Sequence, residues 1–308
     1  MPVMRYSKTD GAALPAAIVL AILLLCSMPS GTYAWDNGGY SSNPSNPDYG
    51  MHDRIADLAL SISTEDVAFL RSTYHTQYLL GTEAPDNSEY IGDSVNHHVY
   101  FYSSGEVQDD KSAARAKQMY EEALAKIDSG SLMDAAFLIG AMTHYISDVG
   151  VFGHTMGSAT DWGAEVHHSD YESEFDNRMD AYSLPSSIAP APKNAYEATM
   201  QLARTITFGE GVIKANIWMD SHYNWSDLAS FVPSAMHSLD LSILAVASAI
   251  DQLVVEVSYT PPDNPTGPAD ETPTPGDNPP ANTFFVGLTM AAVIAVSGIL
   301  LAMTRRRR

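Results

Sequence analysis

The sequence predicts an all-α protein, a multi-helix bundle followed by a C-terminal transmembrane helix, and three observations predict it. Apolar residues recur at three- and four-residue spacing along most of the chain. Strand-like alternation is nearly absent, and a second kind of apolar segment near the C-terminus is uncharged throughout and ends in a run of arginines.

The first segment, residues 1–34, reads as a signal peptide. Arg5 and Lys8 give a basic start, Ala12 to Leu25 form an apolar stretch short for a membrane span, and Thr32-Tyr33-Ala34 has the small-x-small form of a cleavage site. Cleavage there makes Trp35 the first residue of the mature chain. Cys26, the sole cysteine, leaves with the signal, so the exported protein must be held by packing or by metal instead of disulfides.

Residues 35–258 form the predicted helical domain, about 220 residues with room for a substantial core. Helical spacing runs through Ile55 to Leu60, Ala114 to Ile127, Leu132 to Ile146, Ala164 to Met179, Ala195 to Ile206 and Ala235 to Val255. Gly, Asn and Pro clusters mark Asn37 to Gly50 and Gly81 to Gly92 as long loops, and metal ligation would give them a reason to be ordered.

Residues 259–283 are rich in Pro, Asp, Thr and Gly, too poor in apolar groups to build a core, and read as a linker. Extended at ~3.1 Å per residue, it would reach roughly 75 Å. Residues 284–303 are predicted to span a membrane, with the basic tail 304–308 on the cytoplasmic side and the domain outside, at the cell surface. The formal net charge of -21 argues against binding duplex nucleic acid, which rests on phosphate neutralisation by Lys and Arg.

The chemistry-bearing pattern is concentrated in the middle of the domain. His144 and Asp148 stand four apart, on one face at the end of an apolar helix. His154 follows, and His168 with Glu172 repeats the His-x-x-x-acid spacing. A single such pair on a helix is usually a solvated ion pair. Two pairs with a histidine between them, in apolar surroundings, suit zinc and its neighbours, which helical bundles hold with inward-facing imidazoles and carboxylates.

These residues resemble the bacterial zinc-dependent phospholipases C, which share a fold with the single-strand nucleases. The resemblance is carried by Ala135 to Gly140, His144-Tyr145, Asp148, His154 and His168-Ser169-x-Tyr171-Glu172, with Gly81 to Asp86 and His98-Val99-Tyr100 upstream. It implies a trinuclear zinc site. Asp86, His98, His144 and Asp148 would hold one ion, and His154, His168 and Glu172 a second. Trp35, through its amino and carbonyl groups, and His52 would hold a third, with Asp148 bridging. His97 and Asp93 are the alternatives to His98 and Asp86. Five of the ten histidines are used; His75, His222 and His237 lack an acid at ligand spacing and read as surface or core residues.

The implied function is hydrolysis of phosphate diesters outside the cell, with phospholipid the favoured substrate and Asp86 orienting or deprotonating the attacking water. A single-strand nuclease or general phosphodiesterase is the second reading, and a non-catalytic surface protein stabilised by zinc the third. Asn87 and Val95, flanking the Asp86 loop, are not the aromatic residues that would cage a quaternary ammonium head group.

Overall fold

The structure is a computed structural model that describes residues 49–178, 182–185 and 189–257. The predicted signal peptide, Trp35, the linker, the 284–303 span and the basic tail lie outside the described residues.

Eight α-helices make up nearly all of the regular structure among the described residues. They are α1 (Met51–Ile62), α2 (His75–Glu83), α3 (Lys111–Asp128), α4 (Leu132–Asp148), α5 (His168–Asp176), α6 (Ala195–Phe208), α7 (Asn216–Ser221) and α8 (Phe231–Glu256). A short antiparallel pair, β1 (Tyr100–Phe101) and β2 (Val107–Asp109), joins α2 to α3. A π-turn at Phe69–Thr73 precedes α2, and a 3-10 turn at Phe152–Thr155 follows α4.

The helix α4 is the centre of the bundle. From Ala135 to Asp148 it is buried at all but two positions, which is why its sequence is apolar on every face instead of in one stripe. It packs against α2, α3 and α8, while α1 lies on α8 and α6 lies against both α3 and α8. The outer helices keep one buried stripe. In α3 that stripe is Ala113, Ala116, Met119, Tyr120, Ala123 and Ile127, at the three- and four-residue steps read from the sequence. In α6, the Asn194 side chain caps the start by accepting the Glu197 amide at 3.0 Å, and Gly209 at φ 77° ends the helix.

Close approach of α2 to α4 depends on two glycines. A Cβ on Gly81 would fall on the carbonyl oxygen of Phe137, and one on Gly140 would fall on that of Tyr78. The backbones touch where any side chain would hold them apart, and this contact carries the last turn of α2 to the inner face of α4.

The helix α8 is the one described helix long and apolar enough to cross a membrane, yet 67% of its most apolar stretch is buried in the fold. Its polar residues are satisfied there. Buried Asp251 accepts the Thr64 amide at 3.1 Å and the Thr64 hydroxyl at 2.7 Å, and it also receives the Ser63 hydroxyl. These contacts tie the end of α1 to α8.

The structure departs from the sequence expectations in several places. Gly81, Thr82 and Glu83 complete α2, so the irregular loop starts only after them. Asn37 to Asp48 lie outside the described residues. The helix expected from Ala164 to Met179 runs only from His168 to Asp176, because Asp220 of α7 accepts the amides of Val166 and His167, each at 2.9 Å, and turns the chain there. Neither α2 nor α7 was foreseen. Apolar residues are spread almost evenly around α2, so no helical period marks it, and α7 is under two turns long.

Gly140→Ala should overpack the contact between α2 and α4, at a cost of about 2–3 kcal/mol. Thermal unfolding of the metal-free domain should show the midpoint lowered by roughly 5–10 °C.

Candidate metal centre

Three groups of imidazoles and carboxylates converge around the C-terminal end of α4: His52 with His144 and Asp148, Asp86 with His97 and His144, and His154 with His168 and Glu172. The first two share His144. The rings of His97 and His154, 6.5 Å apart, connect them to the third.

Each side chain arrives from an element whose local structure accounts for it. His52 lies in the first turn of α1, and its ring stacks on that of His144 with centroids 3.9 Å apart. His144 and Asp148 occupy the last turns of α4, where unpaired carbonyls give the helix end a partial negative charge that favours cations. Asp86 and His97 sit on the loop between α2 and β1. His154 is in the 3-10 turn, and His168 and Glu172 open α5. Gly153 allows the His168 ring to come in, because a Cβ there would lie 2.6 Å from its Cγ.

An aromatic cluster behind α5 holds this third group in place. Tyr171 meets Phe152 and Phe175, both at 4.9 Å between centroids, Phe175 meets Trp225 at 5.1 Å, and Trp225 meets Phe231 at 5.3 Å. The Tyr171 hydroxyl is paired with that of Ser238 on α8 at 2.9 Å.

The hydrogen-bond partners decide which nitrogen of each ring faces inward. His144 Nδ1 lies 2.6 Å from the carbonyl oxygen of Thr82, which only accepts, so Nδ1 carries hydrogen and Nε2 faces Asp148 Oδ2 at 3.4 Å and Asp86 Oδ1 at 3.7 Å. His52 Nδ1 is 3.0 Å from the Ser147 hydroxyl, which itself donates to the His144 carbonyl, leaving His52 Nε2 3.4 Å from Asp148 Oδ1. His97 is turned the other way. Its Nε2 donates to the Asp93 carbonyl, and Nδ1 faces Asp148 Oδ2 at 2.7 Å and His144 Nε2 at 3.3 Å. Such outer partners fix ring orientation in metal sites.

The electrostatics show what is missing from these contacts. Asp148 is wholly buried, its Oδ1 accepts no hydrogen bond, and burial raises its carboxyl pKa despite the imidazoles beside it. Burial would lower the pKa of His97, but Asp148 and Asp86 outweigh it and lift the ring to about 9. A proton is therefore retained between His97 and Asp148. In the third group, His168 and His154 bring their Nε2 atoms to 2.9 Å, with Glu172 Oε1 2.7 Å from the former and 3.6 Å from the latter. Against the effect of burial, Glu165 and Glu172 raise His168 to about 9. Burial and the neighbouring His168 lower His154 well below the ordinary range, and burial lifts Glu172 to about 7. Protons stand where a cation would stand, and the donor sets of imidazole and carboxylate fit zinc.

Of the residues expected from the sequence, His52, Asp86, His144, Asp148, His154, His168 and Glu172 are brought together. His98 is not. The burial pattern from His97 to Phe101 alternates, with His97, Val99 and Phe101 inside and His98 and Tyr100 less buried. His98 stacks on Tyr100 at 4.2 Å and pairs with Asp109 at 3.2 Å, and His97 takes the place expected of it. The alternation of His97 with the apolar Val99 and Phe101 is the sequence signal that separates the two adjacent histidines. His168 lies in the third group, whereas His167 beside it is 35% exposed and stacks on Tyr223. Asp86, not Asp93, faces the histidines with its carboxylate. His75, His222 and His237 lie outside the three groups.

A family model described as zinc dependent phospholipase C matches residues 51–227, a segment that contains all eight of these grouped side chains. The chain belongs to the zinc-dependent phospholipase C family. A phospholipase C of Paraclostridium bifermentans is 26% identical over 215 aligned positions, covering 59% of this chain and 50% of the relative, so the chain spans half the length of the curated relative it matches. Two solved structures share the fold. Alpha toxin from Clostridium absonum has a TM-score of 0.51 at 16% identity, covering 75% of this chain and 68% of the toxin. The alpha-toxin of an avian strain of Clostridium perfringens has a TM-score of 0.53 at 16% identity, covering 73% and 66%.

Because His97 and His168 are held at about 9 in the metal-free protein, a metal must displace their protons at neutral pH. Affinity should fall as pH drops below 9, by roughly tenfold per pH unit for each proton displaced. Calorimetric titration with zinc in two buffers of different ionisation enthalpy should show net proton release at pH 7.

Proposed function

We propose that the protein is a phospholipase C, hydrolysing phosphodiesters with zinc held by the grouped histidines and carboxylates. The observation that carries this is the convergence of eight buried or nearly buried metal-ligand side chains into three adjoining groups, in a chain of this family. In this proposal Asp86, His97, His144 and Asp148 hold one ion, and His154, His168 and Glu172 a second. His52 and Asp148 hold a third together with the amino and carbonyl groups of Trp35, freed by signal cleavage.

Zinc bound there would polarise a phosphoryl oxygen and lower the pKa of water toward ~7. The chain's own residues do the rest. Asp86, with its side chain 5% exposed and its Oδ1 3.5 Å from His97 Nε2, orients the attacking water and accepts its proton. Asp148 faces His52 of the first group through Oδ1 and His97 of the second through Oδ2, and so sets the spacing of the two.

Phospholipid is favoured over nucleic acid by the family and by the net charge of -21, which repels a polyphosphate chain. Val95 beside the Asp86 loop is 63% exposed and aliphatic, so a choline cage is not part of the proposal. Export by residues 1–34 and anchoring by residues 284–303 complete the proposal, supported by their sequence pattern.

A fragment from Trp35 to Ser258 with a free N-terminal tryptophan should contain close to three zinc ions per chain by elemental analysis and hydrolyse phosphatidyl lipids in a chelator-sensitive way. Asp148→Ala and His97→Ala should each lower turnover by roughly 100-fold or more, with loss of zinc, while His98→Ala stays near wild type. Full zinc content in Asp148→Ala would refute the bridging role. Release of acid-soluble nucleotides from single-stranded nucleic acid, with phospholipid untouched, would assign a nuclease.

A further inference from the structure

The loop between α2 and β1 supplies Asp86 and His97 to the metal centre, but it has no ladder or helix of its own to hold them. Its turns close on Asp93. The Asp93 amide donates to the Pro85 carbonyl at 2.6 Å, next to Asp86, and the Asp93 carbonyl receives Nε2–H of His97. The Asp93 carboxylate, 8% exposed, accepts the amides of Val95 and Asn96 at 3.2 Å and the Asn96 side chain at 2.8 Å. All of these contacts are within the loop itself.

Two side chains connect Asp93 to the bundle. The Tyr145 hydroxyl donates to Asp93 Oδ2 at 3.0 Å, and Arg115 Nε of α3 approaches the same oxygen at 3.0 Å. Arg115 also donates from Nη2 to the Tyr145 hydroxyl at 3.2 Å, and its guanidinium lies over the Tyr145 ring, 5.3 Å from the centroid. Tyr145 follows His144 in α4, so one guanidinium joins the loop, α3 and the ligand-bearing turn of α4.

We propose that Arg115 is a positioning residue for the metal centre: by holding Asp93 it fixes the carbonyl that receives Nε2–H of His97, and so keeps Nδ1 of His97 turned toward Asp148 and His144. This rests on the metal-binding role proposed above. Outer partners that orient a ligating histidine typically contribute 10–100-fold to metal affinity. Charge and a directional fork are both needed here, since the carboxylate is buried and its other bundle partner is neutral.

The test is cobalt(II) titration of the full chain, followed by its visible absorption bands, with thermal unfolding of the same metal-free preparations. Arg115→Met keeps the aliphatic stem over Tyr145 and removes the charge. It should weaken uptake at the group containing His97 by about 10–100-fold and leave the His154, His168 and Glu172 group as in wild type. Arg115→Lys should recover part of the loss. Tyr145→Phe, which removes one hydrogen bond and keeps the ring, should shift the same uptake in the same direction by less, and gives the answer if the methionine variant fails to fold. Unchanged uptake in Arg115→Met, or an equal loss at all groups that tracks a lowered metal-free melting temperature, would overturn the proposal. Absence of cobalt uptake by the wild-type chain would instead refute the metal-binding role and the proposal with it, a result distinct from wild-type binding that the variants leave unmoved.

Discussion

A carboxylate with no exposure to water stands at the end of α4, the largely buried helix at the centre of the described bundle, and the surrounding structure is arranged to compensate it. Asp148 lies within 3.4 Å of nitrogen atoms from His52, His97 and His144, which come from α1, the α2–β1 loop and its own helix. An isolated charge so placed would cost several kcal/mol. Compensation therefore recruits three separate parts of the chain to one point, and the fold brings them there: the glycine contact between α2 and α4 places the Thr82 carbonyl on His144, and the stacking of His52 on His144 locates the start of α1.

Protons alone complete this arrangement poorly. His97, the imidazole closest to Asp148, is lifted to about 9 by the carboxylates beside it, and one carboxylate oxygen of Asp148 is left without a hydrogen bond. A divalent cation would satisfy the bare nitrogen and oxygen lone pairs together, which couples metal binding to the stability of the bundle. The coupling has particular weight in a chain whose sole cysteine, Cys26, precedes the described domain and whose formal net charge is -21. Cations placed inside an acidic protein relieve its self-repulsion as well as the local burial of charge.

Most of the helical frame was legible in the sequence because it obeys one period. Residues 114–127, 132–146, 195–206 and 235–255 show apolar spacing that lies within α3, α4, α6 and α8, and the i,i+4 pairs His144–Asp148 and His168–Glu172 could be read because a helix places those positions on one face. What was not legible depends on contacts between distant segments. The start of α5 is set by Asp220, more than fifty residues away, and no local pattern announces it. The choice between His97 and His98 was not legible, for a different reason. Their segment is extended, so period two decides which of the adjacent histidines points inward, and a helix-based reading has no purchase on it.

The same distinction between regular and irregular backbone explains how the three inward histidines around Asp148 are oriented. His144 is fixed by a carbonyl in the last turn of α2, and His52 by a hydroxyl on α4, so both inherit their precision from helices. His97 is fixed by a carbonyl on a loop. Helical partners are stiff because the backbone around them is already hydrogen-bonded, whereas a loop carbonyl is only as steady as the side-chain contacts that hold its residue. Asp93 has those contacts in unusual number, from the loop amides on one side and from Arg115 and Tyr145 on the other. The extra charged pair occurs where the backbone offers least rigidity, and that is the physical reason a residue distant from the inward-facing imidazole nitrogens can bear on their geometry.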